Sequence, residues 1–90
     1  MEQSINELGK DTAAKTALDY SLGALLHPEI KESVLNHFEF RFKIFVNGSE
    51  PLTVEEAKYV LKEFFGAGAS LFIAKFDEKY SELISTTSND

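Results

Sequence analysis

The sequence contains no cysteine, no tryptophan, one methionine and only two prolines in 90 residues. Without cysteine there can be no disulfide staple and no thiolate metal site, and the two histidines, His27 and His37, cannot complete a zinc site without help from carboxylates. Basic residues are also scarce, 9 against 15 acidic ones, for a net charge of -6. They are scattered singly. No basic stripe could follow a phosphate backbone, and no Lys/Arg-rich helix face could lie on an anionic bilayer, so neither nucleic acid nor a membrane is an expected partner. No apolar run approaches the ~20 residues of a spanning helix, and residues 1–7 are polar and acidic, unlike a signal peptide. The expected setting is cytoplasmic.

What is present suits one small domain, with residues 1–8 and 85–90 expected to fray because apolar anchors are few or absent there. A chain of 10.1 kDa should fold to roughly 5,300 Å² of surface from roughly 14,600 Å² unfolded, which allows a modest core. Eight Phe and three Tyr supply most of its large apolar volume. No low-complexity run, internal repeat or interdomain linker interrupts it.

The apolar periodicity predicts an all-α fold, a small bundle of four helices at about 11–26, 28–46, 53–65 and 68–84. Asp11 can cap the first helix, whose face is Ala14, Leu18, Leu22, Leu25 and Leu26. His27-Pro28 ends it and begins the second, since the residue before proline resists helical angles while proline suits a first turn. Ile30, Val34, Leu35, Phe38, Phe42, Phe45 and Val46 then form a helical stripe. The segment 38–46 also reads as a strand, with Phe38, Phe40, Phe42, Ile44 and Val46 alternating with Glu39, Arg41 and Lys43. Helix is favoured, because the stripe starts at Ile30, Glu39 and Lys43 form an i,i+4 pair, and a lone strand would find no partner.

Asn47-Gly48 reads as a helix stop, and the glycosylation-like Asn47-Gly48-Ser49 as turn chemistry. Thr53 and Glu56 have capping-box spacing, with Leu52 placed to staple onto the first turn. The third helix carries Ala57, Val60, Leu61, Phe64 and Phe65. It is nearly continuous with the fourth through a kink at Gly66-Ala67-Gly68-Ala69. The expected core includes Leu18, Leu22, Ile30, Val34, Phe38, Leu61, Phe65, Phe72 and Phe76.

The chemistry-bearing motifs are sparse. Gly66-Ala67-Gly68-Ala69-Ser70 lacks the third glycine of a dinucleotide fingerprint, the Lys-Ser/Thr of a P-loop and a preceding strand, so it reads as small residues that let helices bend or cross closely. Neither histidine belongs to a nucleophile, acid–base or metal constellation. The sequence therefore predicts no catalytic residue, no metal site, no cofactor and no enzyme.

The stretch from Ile30 to Glu39 (Ile-Lys-Glu-Ser-Val-Leu-Asn-His-Phe-Glu), and then Leu61-Lys62-Glu63-Phe64-Phe65-Gly66-Ala67-Gly68-Ala69 through Lys79-Tyr80, resembles a family of small archaeal helical domains of the Nitrosopumilus output domain type. The resemblance covers about residues 30–83 and leaves out the first helix. It implies an all-helical fold, a cytoplasmic setting and a regulatory, interaction or signalling-output role, with no catalytic residue carried over.

The second helix is expected to have more apolar surface than a small bundle covers, Phe38, Phe42 and Phe45 on one side and Phe40 and Ile44 on another. The expected function is thus an interaction module whose partner is a second copy or another protein, a homodimer being the default form. Phe40, Ile44, Phe45 and Phe72 are the expected interaction residues. The rival expectation is a sensor in which the aromatic surface lines a pocket for an apolar small molecule.

Overall fold

The computed structural model describes residues 2–46 and 50–88. Among them every regular element is helical. α1 spans Glu2–Leu25, α2 Pro28–His37, α3 Val54–Phe65 and α4 Ala69–Ser88, with a π-helical turn at Phe38–Phe42 and a 3-10 turn at Gly66–Gly68. α1 starts well before the expected boundary, and Asp11 lies inside it instead of capping it. The physical reason is the run of good helix formers Glu2, Gln3, Glu7, Leu8 and Lys10, with no proline before Pro28.

α1 packs chiefly along α4. Two adjacent rows make this possible: Ala13, Ala17 and Ser21 on one, Ala14, Leu18 and Leu22 on the other, all buried. The first row is small, so the neighbouring backbone can come close; the second fills the core. Ser21 is satisfied where it is buried, its hydroxyl donating to the Leu18 carbonyl at 2.8 Å.

His27 takes extended angles (φ -61°, ψ 146°) and Pro28 opens α2, as the sequence predicts. The Lys31 ammonium meets the Asp19 carboxylate of α1 at 3.0 Å, an exposed pair that adds at most ~1 kcal/mol. The Thr53 hydroxyl accepts from the Glu56 amide at 3.0 Å and the Glu56 carboxylate from the Thr53 amide at 3.0 Å, completing the expected capping box. Leu52, beside it, is buried.

The second helix ends earlier than predicted. It widens into the π turn and stops at Lys43, whose left-handed angles (φ 59°, ψ 35°) break the helix. Two bonds close the end, from the Lys43 amide to the Glu39 carbonyl and from the Ile44 amide to the Phe38 carbonyl, both 3.2 Å. This is a left-handed cap built on a widened turn, and it leaves residues 43–46 outside any regular element. The helical reading of 38–46 holds through Phe42, and the strand reading finds no support in the described residues. The expected stop at Asn47-Gly48 and the Asn47-Gly48-Ser49 motif lie outside the described residues.

From Val54 to Ser88 the chain is helical without a gap, but it changes direction at Gly66. On one straight helix Lys58 and Asp77 would stand ~28 Å apart. Their charged groups meet at 3.0 Å. The bend folds α3 toward α4 and closes the core around Ala57, Val60, Leu61, Phe72 and Phe76, with Val34 and Phe38 contributed by the α2 segment. Eight of the nine expected core residues are buried or packed against the core. The exception is Ile30, which is 54% exposed. It sits in the first turn of α2, whose next residue, Lys31, is the one that meets α1.

Candidate aromatic interaction face

Because α2 and the π turn place Phe38 and Phe42 four residues apart, both rings share one side and meet α3. A chain of rings follows from this. Tyr59 contacts Phe42 edge to face (centroids 6.3 Å), Phe42 contacts Phe38 (6.2 Å), Phe38 contacts Phe64 (5.5 Å), Phe64 contacts Phe65 (4.8 Å), and Phe65 stacks on Phe72 (3.9 Å). Edge-to-face pairs of this kind add about 0.5–1.5 kcal/mol beyond area burial. The series runs from the buried core out to Tyr59, which is 56% exposed.

The outer end of this series borders a cleft of about 340 Å³. Residues 42–45 and 50–52 line it together with Glu56 and Tyr59. Phe40, two residues from Phe42 in the π turn, does not line the cleft and is 83% exposed. Phe45 and Ile44 line the cleft, Phe45 at its exposed edge and Ile44 partly covered by the core. The structure thus brings together two of the four expected interaction residues, Ile44 and Phe45, in the lining of the cleft. Phe72 is not with them. It is buried against Phe65, because the bend at Gly66 turns that face of α4 inward.

Tyr59 belongs to this face although the sequence does not single it out. Its one signal was position: it lies off the stripe of Ala57, Val60, Leu61 and Phe64, a large ring on the polar side of α3. Lys43, Glu50 and Glu56, all exposed, put charges of both signs in the lining of the cleft. No ion pair among the described residues joins them.

The remaining candidates are structural. His37 is half-buried between Phe64 (ring centroids 4.9 Å) and Phe42 (6.2 Å), and His27 is exposed at the start of α2. Among the described residues no three His, Cys, Asp or Glu side chains are grouped as a metal would need. No helix among them is long and apolar enough to cross a membrane. At Gly66 and Gly68 an added Cβ would meet nothing within 4 Å, so neither glycine serves a close crossing of helices. On the far side of the bundle Lys79 bonds Glu82 at 2.9 Å and lies 5.1 Å from the Tyr20 ring centre. The Glu82 hydrogen bond, and then its charge, hold the Lys79 ammonium above the usual lysine range. Comparison with protein-family models, curated proteins and solved structures gives no match.

Proposed function

We propose that this chain is a non-enzymatic interaction module that self-associates through its exposed Phe40. The observation that carries the reading is the exposure of that ring, 83%. An exposed aromatic ring on a small helical body favours covering by protein. The surface of the chain, 6070 Å², exceeds the roughly 5,300 Å² expected for its mass. That surplus is spread along a body of 38 × 23 × 21 Å, so the position of the exposed ring, and not the total area, locates the contact. A cytoplasmic setting and a regulatory, signalling-output role complete the reading. The lack of cysteine supports the setting, and the resemblance over residues 30–83 supports the role.

Sedimentation of the unmodified chain at several concentrations tests this. A monomer–dimer equilibrium is expected, shifted to monomer by Phe40→Glu with helicity unchanged. A monomer at all concentrations would refute it.

The cleft itself favours a second reading, a binding site for a small apolar molecule, since about 340 Å³ lies at the lower end of ligand-site volumes of ~300–1,000 Å³. A metabolite screen distinguishes the two. Melting-temperature shifts that disappear on Tyr59→Ala would support the pocket, and a flat screen together with concentration-dependent mass would support the interface.

A further inference from the structure

We infer that the bend at Gly66 is a hinge through which two copies of this chain exchange α4, each α4 filling the place that the other has left. The exchange does not depend on a contact at Phe40. The backbone is helical from Val54 to Ser88, and Phe65 before the bend (φ -99°, ψ -13°) and Ala69 after it (φ -65°, ψ -24°) are both right-handed. Gly66 departs from them, at φ 58° and ψ -124°. Rotating that residue into the helical range would join α3 and α4 into one helix about 50 Å long, against 38 Å for the longest dimension of the closed chain. Nothing packs over the bend: residues 66–68 are exposed, and a Cβ at Gly66 or Gly68 would meet no atom within 4 Å. The straight form also gains backbone hydrogen bonds, because the last carbonyls of α3 and the first amides of α4 become interior to a single helix.

A straightened chain needs a second copy. Ala69, Phe72 and Phe76 of α4 are buried, and α4 packs chiefly along α1 and then along α3. Opening the bend uncovers these side chains and leaves on α1 and α3 a groove shaped for α4, so the occupant that fits it is the α4 of another copy. Because the exchange is reciprocal, it closes on a two-fold axis. Lys58 and Asp77 mark it. Within one straight helix they would stand ~28 Å apart, so their 3.0 Å contact can be remade only between copies. The two glycines set the balance: both oppose the straight helix, since glycine is the poorest helix former after proline, and Gly66 accepts the bend without the strain that a Cβ would bring.

The test is made in the Phe40→Glu chain, so that any dimer owes nothing to that ring. Adding Gly66→Ala should strengthen association at least about ten-fold in sedimentation, since alanine both strains the bend and favours the helix; below the concentration of association it only destabilises the closed chain. The sequence has no cysteine, so Lys58→Cys and Asp77→Cys can be placed in separate chains of this variant, refolded together and treated with a short bismaleimide. A link between position 58 of one copy and position 77 of the other, found by peptide mass spectrometry, is expected. A folded alanine variant that stays monomeric at every concentration, or a dimer without that link, would overturn the exchange. If far-UV circular dichroism shows the alanine variant unfolded, the same two cysteine chains with Gly66 intact, refolded together at high concentration, decide: the link between copies supports the exchange, and its absence overturns it. The unmodified chain and Phe40→Glu, compared with Gly66 intact, judge the contact at Phe40 separately.

Discussion

Phe65 and Phe72 lie face to face, ring centroids 3.9 Å apart and planes 13° from parallel, although seven residues separate them along a helical segment. On an unbroken helix their Cα atoms would be ~10.5 Å apart along the axis. The bend at Gly66 brings the rings together. Gly66 has φ 58° and ψ -124°, angles open to glycine and strained for any residue with a Cβ, while the space around it is empty. Gly66→Ala should therefore cost ~1–3 kcal/mol, all of it conformational. Gly68 has no such positive φ and equally open surroundings. Gly68→Ala should be neutral or stabilise by up to ~1 kcal/mol, as lost freedom in the unfolded chain would dictate. Denaturant melts of the pair measure the contrast, and equal effects would refute the assignment of the bend to Gly66.

Lys43 carries the opposite mismatch: a residue with a Cβ in the left-handed region, φ 59°. Glycine adopts these angles without the penalty of roughly 1 kcal/mol that an L side chain incurs there. Lys43→Gly should raise thermal stability by up to ~1 kcal/mol, offset in part by the greater freedom glycine gains when unfolded. Melting at a concentration where the chain is monomeric isolates this from any change in association. A fall in stability would show that Lys43 makes a contact worth more than the strain.

The limits of the sequence reading come from the same two places. Local chemistry was legible: His27-Pro28 and the Thr53/Glu56 box mark their helix starts, and the stripe of Ala57, Val60 and Leu61 is buried as its spacing requires. The end of the second helix was not legible, because Lys43 has no conformational signature and the aromatic pattern of 38–46 continues past it. Phe72 was assigned to both core and interface for a related reason. Periodicity places a residue on a helix face, but only the angle of the Gly66 bend decides what that face meets. The charged residues that line the cleft come from separate segments, Lys43 at that helix end and Glu50 and Glu56 further along the chain, and Glu56 was legible for its cap alone.

The corrected core makes its own prediction. Phe76 is fully buried, whereas Ile30, expected beside it in the core, is 54% exposed. Phe76→Ala should cost ~3–5 kcal/mol through lost burial and the cavity left behind, enough to unfold a small domain whose total stability is ~5–15 kcal/mol. Ile30→Ala should stay within about 0.5 kcal/mol, the range of surface changes away from special features. Comparable losses from the two substitutions would mean that α2 packs with a different face inward.

Phe40 and Ile44 separate in the same way, although their spacing placed them on one face. Phe40 is 83% exposed, while Ile44 is partly covered by the core and its amide closes the helix end on the Phe38 carbonyl. A glutamate at position 40 enters water and loses nothing by it, so Phe40→Glu should leave the melting temperature of the monomer nearly unchanged. A glutamate at position 44 would bring a carboxylate against the core or push the segment off it, and burying an unpaired polar group costs ~1–3 kcal/mol by mutational measures and more for a charge. Ile44→Glu should lower stability by at least that amount, and less steeply below pH ~4, where the introduced carboxyl is neutral. Melting curves of both variants at pH 7 and pH 4 decide the matter. A destabilised Phe40→Glu, or an Ile44→Glu as stable as the unmodified chain, would reverse the roles assigned to these two side chains.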